Sequence, residues 1–243
     1  MTFSQLFLIK RPSIRSRVSS LLWPPEFSLR LEEIPALLPD HLHTAADKLP
    51  DALKPFQMSQ KEVTMYYPGC GQDMIWPIIA MQGVAPDALK WTIIGQDITD
   101  TIGALISTTQ AITGQTAFSM IKKGGTGDIV GARFRFKGKT IDIFSSNSDA
   151  LSCLPGIVAN GYDIYFERGF ELMRSQRPGF LDEALGHLRS GGLAITDAGF
   201  PETTRHVSKS KTEMQGWGFY KNPAVYVKTP NQIKRQKKRK KTQ

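Results

Sequence analysis

The chain alternates short hydrophobic runs with segments in which apolar positions recur at helical intervals. Residues 63–67 and 91–95 are rich in β-branched and aromatic side chains, and each run is followed by turn-forming residues. Each therefore predicts a buried strand that ends in a tight turn. Residues 75–81 predict a helix between these strands. Over 98–112 the apolar residues recur every three or four positions, which predicts an amphipathic helix.

The second half of the chain repeats this alternation. After a glycine-rich break, a two-residue alternation over 132–137 and 139–145 predicts a hairpin, which we expect to precede the third strand of the sheet. We also predict strands at 163–166, 193–196, 217–220 and 224–228, and helices at 149–159 and 181–188, the latter ended by Gly191 and Gly192. Strands that alternate with helices predict a three-layer α/β fold with a mostly parallel sheet. The last two strands are joined by a short turn, so they are expected to be antiparallel to each other.

Proline divides the N-terminal part of the chain from the rest. Six of the fifteen prolines lie within residues 24–60. Because proline interrupts helices, only short helices are expected there, for example Asp40 to Leu53. The predicted organisation is an N-terminal extension with a short-helix cap (1–60), one α/β domain (61–230) and a basic tail (231–243).

Charge is concentrated at the two ends of the 243-residue chain. The net charge is +9; residues 234–241 contribute seven positive charges and residues 1–25 four more, which leaves −2 for the part between them. Such a tail is usually solvated, but it can also contact RNA without sequence specificity or act as a nuclear address.

Composition limits the cellular context. No run of about 18 apolar residues occurs, so no membrane-spanning segment is expected. Two cysteines give neither a disulfide framework nor a metal-binding spacing, and no metal site is expected. We expect a cytoplasmic protein. Mitochondrial localisation is an alternative because residues 1–25 are rich in Ser and Arg and lack acids, and nuclear localisation is another because of the tail.

Candidate chemistry begins at the first predicted turn. Gly69-Cys70-Gly71 follows the first strand, where glycine lets the backbone approach a ligand closely. Asp97 closes the second strand 26 residues later. In an open α/β sheet ligands bind beyond the carboxyl ends of the strands, where a carboxylate can accept hydrogen bonds from both hydroxyls of a ribose. The glycine turn alone is equally typical of any strand-to-helix connection.

Over residues 60–230 the chain resembles the class I S-adenosylmethionine-dependent methyltransferases, which have a Rossmann-like fold with an antiparallel strand pair at the C-terminal end. Four segments match that family's motifs in order. They are Tyr67-Pro68-Gly69-Cys70-Gly71 (glycine loop), Ile94-Gly95-Gln96-Asp97-Ile98-Thr99 (acidic turn), Asn147-Ser148-Asp149-Ala150 (third strand), and Tyr162-Asp163-Ile164-Tyr165 with 188–195 (fourth and fifth strands).

The resemblance implies S-adenosyl-L-methionine as cofactor and gives roles to the matched positions. Gly69 and Gly71 would line its methionine part, and Asp97 would hold the ribose hydroxyls. Asp149 would accept a hydrogen bond from the adenine amino group, with Ala150 beside the ring. Cys70 and Ile98 belong to the same two motifs and are expected to bind the cofactor as well.

Two acidic residues have alternative interpretations. Asp73 stands where the family usually has glycine; it could cap the following helix or lie near the cofactor's ammonium group. Glu167 follows the fourth strand and is the candidate catalytic residue, for binding or as a base. It could equally be a surface residue paired with a neighbouring arginine.

Two functions are compatible with these observations. The first is an S-adenosylmethionine-dependent methyltransferase whose methyl acceptor is unidentified. The second is a catalytically inactive, methyltransferase-like binding module that its basic tail, 234–241, tethers to RNA or a ribonucleoprotein.

Overall fold

A computed structural model of the chain describes residues 40–99, 103, 119–122, 129–136, 138–152, 154–212, 214 and 223–229. Its longer helices and strands are, in chain order, α1 (Asp40–Leu53), β1 (Glu62–Pro68), α2 (Ile75–Val84), β2 (Lys90–Asp97), β3 (Ser119–Lys122), β4 (Ile129–Phe136), β5 (Lys139–Asn147), β6 (Tyr162–Glu167), α3 (Glu171–Ser175), α4 (Phe180–Gly186), β7 (Leu188–Thr196), β8 (Val207–Lys209) and β9 (Ala224–Lys228). Two 3-10 turns, Lys54–Phe56 and Val158–Asn160, complete the described elements.

The nine described strands form one sheet in the order β3-β4-β5-β2-β1-β6-β7-β9-β8. The five central strands, β5, β2, β1, β6 and β7, are parallel to one another. β4 runs antiparallel to β5, and β9 runs antiparallel to both β7 and β8. The predicted mostly parallel sheet with antiparallel strands at its C-terminal end is therefore confirmed. The antiparallel partners of β9 are β7 and β8, and the predicted partner 217–220 lies outside the described residues.

Alternating side chains of the central strands feed two hydrophobic cores, one on each face of the sheet. Met65 and Tyr67 of β1 belong to the core under α1 and α2, whereas Tyr66 between them belongs to the core under α4. This is the two-residue period of a strand covered on both faces. The molecule thus has three layers, with the sheet in the middle.

Helix α1 is part of the first core. Its bounds, Asp40–Leu53, confirm the predicted short helix, and Ala46, Leu49 and Leu53 are buried against α2. The two helices approach closely because α2 has a glycine at the contact: a Cβ on Gly83 would lie 2.7 Å from the carbonyl oxygen of Pro50.

The predicted hairpin is confirmed, but its place in the sheet differs from our expectation. Its second arm, β5, is itself the third parallel strand and pairs with β2, Asp97 lying opposite Asn147. The hairpin therefore extends the sheet sideways and does not precede the third strand. This register puts Asp149 just beyond the carboxyl end of β5.

Other predicted elements differ or fall outside the described residues. The predicted helix 149–159 is wrong: its described residues form turns and one 3-10 turn, because the Asp149 side chain bonds to the local backbone and Pro155 interrupts the segment. Helix α4 ends at Gly186, and Gly191 and Gly192 lie within β7. Strand β9 is confirmed at Ala224–Lys228.

The predicted strand 217–220 lies outside the described residues, and so does the predicted helix 98–112 apart from 98, 99 and 103. Strands β3 and β8 and helix α3 were not predicted. Among the described helices, none combines the length and the apolar character needed to cross a membrane.

Candidate functional site

The candidate site lies where the parallel strands end. Pro68 pairs with Gln96, and Glu167 pairs with Thr196, so the carboxyl ends of β1, β2, β6 and β7 share one edge of the sheet. β1 is central, and the chain fills the sheet to one side of it before crossing to β6 on the other. Ligands of open α/β folds bind at this kind of crevice.

The glycine turn after β1 bends back against the end of β2. Gly69 and Gly71 both have positive φ, +61° and +53°, which L-residues rarely adopt. The N–H of Gly69 donates to the carbonyl oxygen of Gln96 at 2.8 Å. A Cβ on Gly69 would also overlap the ring of Phe170, whereas one on Gly71 would meet open space. Gly69 is thus required for packing as well as for backbone conformation.

The carboxylate of Asp97 points at this turn. Its Oδ2 accepts a hydrogen bond from the N–H of Gly71 at 2.9 Å, and its Oδ1 accepts one from the N–H of Thr99 at 3.0 Å. An ionised carboxylate offers about four acceptor positions. These two contacts orient the group and leave acceptor capacity for a ligand.

A cleft of about 460 Å³ opens beside Asp97. This volume is within the range of small-molecule sites, about 300–1,000 Å³. Five of the residues predicted to bind a cofactor line it: Gly69, Asp97, Ile98, Asp149 and Ala150. The cleft is therefore lined by residues of both the glycine turn and the acidic turn.

The walls of the cleft are largely apolar. Ile98 is 72% exposed and Met173 is 46% exposed, which is high for such side chains, and both face the cleft together with Leu151. Apolar side chains of this kind suit an aromatic ring. The carboxylates of Asp97 and Asp149 belong to the same lining, so a ligand with a ring and hydroxyl groups matches it.

Gln96 is a cleft residue that the sequence reasoning missed. Its side chain is fully buried; it accepts a hydrogen bond from the Tyr66 hydroxyl at 2.6 Å and donates to Ser148 Oγ at 3.0 Å and to the Asp149 carbonyl at 3.3 Å. It thereby ties the end of β2 to the turn after β5. A polar residue at the end of an apolar strand, next to Asp97, was the available signal.

Asp149 follows β5 and lines the cleft. Its carboxylate accepts hydrogen bonds from the Leu151 N–H at 2.9 Å and the Ser152 hydroxyl at 2.7 Å. These two donors lower the pKa of the Asp149 carboxyl. The group is exposed and ionised at neutral pH, so it can accept further hydrogen bonds. Ala150 is buried beside it.

Two other predicted residues of the glycine turn face away from the cleft lining. Cys70 is buried, and its Sγ packs towards Gly95, where a Cβ would lie 2.9 Å from it. Asp73 accepts a hydrogen bond from Arg168 Nη1 at 2.8 Å. The N-cap position of α2 is Met74, and the Trp76 N–H is 3.5 Å from the Asp73 carboxylate, so capping by Asp73 is marginal.

Burial raises the pKa of the Asp73 carboxyl, and the Arg168 guanidinium beside it opposes that rise. Arg168 also lies over the Trp76 ring, 4.5 Å from its centroid. The principal role of Asp73 in the described structure is this ion pair, which joins the glycine turn to the end of β6.

Glu167 is not placed to act on a substrate, which corrects the interpretation of it as the candidate catalytic residue. Its side chain is 0% exposed. Its oxygens accept hydrogen bonds from Arg174 Nε at 2.9 Å, the Thr196 hydroxyl at 2.9 Å and the Tyr165 hydroxyl at 2.8 Å. The alternative, pairing with a neighbouring arginine, is observed, although in the interior and not at the surface.

One wall of the cleft was also missed. It comes from the segment that begins after β6 and includes Phe170, Met173 and Gln176. Helix α3 is only five residues long, Glu171–Ser175, so it left no periodic pattern that sequence analysis could detect.

No protein-family model matches the chain, and no curated protein matches its sequence. Among solved structures, a putative S-adenosyl-L-methionine-dependent methyltransferase from Methanococcus maripaludis is similar over 83% of this chain and 93% of its own, at 11% identity and TM-score 0.48. The N-methyltransferase NodS from Bradyrhizobium japonicum WM9, in complex with S-adenosyl-L-homocysteine, is similar over 82% and 98%, at 13% identity and TM-score 0.42.

TrmN from Thermus thermophilus is similar over 74% of this chain, at 16% identity and TM-score 0.43, and the chain spans about half of that protein, 48%. The fold itself is identified by the strand order. Taken in chain order, the parallel strands are arranged third-second-first-fourth-fifth, and an antiparallel strand follows the fifth. The protein has a three-layer Rossmann-like α/β fold with antiparallel strands at its C-terminal end.

Proposed function

We propose that this protein binds S-adenosyl-L-methionine in the cleft beside Asp97 and is a methyltransferase. The observation that carries the proposal is the position of the Asp97 carboxylate, which accepts a hydrogen bond from the N–H of Gly71 and lines an open cleft. A fixed carboxylate next to a close-approach backbone turn is the combination that holds the ribose of a nucleoside cofactor in α/β folds.

The lining of the cleft suits the remaining parts of an adenosine. Ile98, Leu151 and Met173 provide apolar surface for the adenine ring. The Asp149 carboxylate can accept a hydrogen bond from its amino group, because two local donors keep that carboxylate ionised. Gly71 carries no side chain, and the position that its Cβ would take is open, so the backbone of the turn is accessible where the methionine part would lie.

Bound S-adenosyl-L-methionine supplies an electrophilic methyl group on a sulfonium centre. The chain's own contribution to methyl transfer is to hold donor and acceptor close and aligned, which accounts for a large part of the rate of such displacements. Phe170 packs against Gly69, and both residues line the cleft. The residues around the cleft select the methyl donor; the acceptor is a separate question.

Isothermal titration calorimetry with S-adenosyl-L-homocysteine tests the proposal. The wild-type protein should bind, and Asp97→Ala should weaken binding by about 2 kcal/mol, the value of hydrogen bonds to a charged partner. Asp51→Asn is a matched control, because Asp51 lies on the exposed side of α1 and pairs only with Lys54 among the described residues. It should bind like the wild type.

Two results would count against the proposal: no binding by the wild type at millimolar ligand, or equal affinities for wild type and Asp97→Ala. Mass spectrometry of the purified protein provides an independent check. A co-purifying S-adenosyl nucleoside that is lost in Asp97→Ala would support both the cofactor and the assigned site.

A further inference from the structure

A buried ion pair connects the cofactor cleft to a second cavity. Glu167 ends β6, and its partner Arg174 lies in α3, whose neighbours Phe170 and Met173 line the cleft. Arg174 Nη2 also donates to the Gly199 carbonyl oxygen at 2.6 Å. Gly199 follows β7 and lines a cavity of about 510 Å³. Arg174 therefore touches the walls of both spaces.

The contacts fix Arg174 from several directions. The planar guanidinium uses its Nε on Glu167 and its Nη2 on Gly199, and it lies over the Phe200 ring, 5.4 Å from the centroid. Two-point contact through a rigid fork sets position as well as distance, which a lysine cannot do. Arg174 is only 6% exposed.

Glu167 is held equally firmly on its other side. Thr196 donates to it and accepts from the Ala198 N–H at 3.1 Å, so the same carboxylate also anchors the start of the segment after β7. Phe200 continues the connection: its N–H donates to the Tyr226 hydroxyl at 2.8 Å, and the two rings stack at 4.6 Å. The walls of the two spaces are thus joined through one network.

Stability does not by itself explain such a pair. Desolvating two charges costs several kcal/mol, and well-packed apolar residues of similar volume are often as stable. What an ion pair adds is a unique relative position of the parts that it joins. In an enzyme with two substrates, the relative position of their two sites decides whether the reacting atoms align.

We propose that Arg174, held by Glu167, is a positioning residue that makes the α3 wall of the cofactor cleft and the 198–202 wall of the second cavity move as one unit. This inference rests on the proposed function, since it takes the cleft to be the cofactor site. Filling the cleft then orders the segment 198–202, although none of these residues lines the cleft.

Hydrogen exchange measured by mass spectrometry on the full chain tests this coupling. In the wild type, saturating S-adenosyl-L-homocysteine should slow exchange of the amides of 198–200 by about fivefold or more, the lower end of typical coupling between sites. The double variant Glu167→Gln/Arg174→Met removes both charges together and leaves no buried charge unpaired. It should still bind the probe, about tenfold more weakly, and lose the protection of 198–200.

The pair Asp163–Arg189 provides a matched control on the same strand. Arg189 Nη1 donates to both oxygens of Asp163 at 2.9 Å, and Nη2 donates to the Gly161 carbonyl at 2.9 Å, at the end of β6 away from the cleft. Asp163→Asn/Arg189→Met should retain both the affinity and the protection of 198–200.

Two results would overturn the inference while leaving cofactor binding intact. In the first, S-adenosyl-L-homocysteine binds the wild type but does not protect 198–200 from exchange. In the second, it protects 198–200 equally in the wild type and in Glu167→Gln/Arg174→Met. Failure of the proposed function is seen separately, as no binding by the wild type. In that case, hydrogen exchange of the ligand-free protein tests the link between the two walls. In Glu167→Gln/Arg174→Met, exchange should become faster in 171–176 and in 198–200 together. Faster exchange in only one of these segments, or in neither, would overturn the inference.

Discussion

The carboxylate of Asp97 accepts a hydrogen bond from the backbone N–H of Gly71 at 2.9 Å, across 26 positions of the chain. The acidic residue therefore shapes the glycine turn in addition to facing the cleft. Removing it in Asp97→Ala should speed hydrogen exchange of the Gly71 amide by about tenfold to a hundredfold, because a charge-assisted bond is lost. NMR-detected exchange on ligand-free protein measures this effect apart from any ligand contact, and an unchanged rate would show that the turn holds its shape alone.

The two glycines of the turn should respond differently to substitution. Gly71→Ala places a side chain in open space and should cost only the strain of positive φ, about 1–2 kcal/mol. Gly69→Ala adds overlap with the Phe170 ring and should cost about 3 kcal/mol or more. Urea denaturation gives both values. Phe170→Leu combined with Gly69→Ala should recover part of the loss, and equal costs at the two positions would contradict the packing argument.

Tyr66 should influence ligand affinity through Gln96, which its hydroxyl holds at 2.6 Å. We expect Tyr66→Phe to lower the free energy of unfolding by about 1 kcal/mol and the affinity for S-adenosyl-L-homocysteine by about threefold or more. The affinity should fall because Gln96 joins the end of β2, which carries Asp97, to the turn that carries Asp149. Chemical denaturation and calorimetry provide the two numbers. Tyr162→Phe is the control: that buried hydroxyl donates to the Ala184 carbonyl at 2.6 Å, on the α4 side. Its loss should affect stability alone.

The pKa of Asp149 should depend on Ser152. The Ser152 hydroxyl is the largest contributor to the lowered pKa, so Ser152→Ala should move it up towards the ordinary aspartate value. Carbon-detected NMR titration of the side-chain carboxyl reports this directly. Ser175→Ala is the control, since that hydroxyl bonds to the Leu172 carbonyl. No upward movement in Ser152→Ala would disprove the assignment.

The lowered pKa of the Asp149 carboxyl also determines how this group makes stability depend on pH. A carboxyl whose pKa is lower in the folded than in the unfolded state contributes stability above its unfolded-state pKa. That contribution disappears as the pH falls through the folded-state pKa. Ser152→Ala should therefore lose less stability than the wild type when the pH is lowered from neutral through the carboxylate range.

The basic tail should govern any contact with RNA. Truncation after Ile233 removes seven positive charges. If all seven neutralise phosphates, the affinity of the full chain for an oligouridylate should fall with log salt with a slope of about −5. Fluorescence anisotropy measures that slope, and truncation should make it much shallower. A chain of equal length with the tail's Lys and Arg changed to Gln separates charge from length, and similar binding by all three proteins would rule out the tail as an RNA contact.

Much of the fold follows from local patterns. The apolar run that ends at a Pro-Gly pair and the run that ends at Asp97 are β1 and β2, and α1 and β9 have the predicted bounds. These elements were predictable because their hydrophobic periodicity is strong and their ends carry turn residues. The identity of β5 as the third parallel strand was not, since a hairpin pattern does not reveal which other strand its second arm pairs with.

The sequence by itself determined strands β1 and β2 and helix α2 between them, and the positions of Gly69, Gly71 and Asp97 at the ends of those strands, because local periodicity and turn chemistry act over a few residues. Tertiary structure alone decided that Asp97 faces Gly71, that Gln96 joins two strand ends and that Glu167 is buried on Arg174. Contacts between residues far apart in the chain depend on strand order and register. The pattern of a single segment carries no record of either, so side chains that look alike in sequence can end in a ligand cleft or in the protein interior.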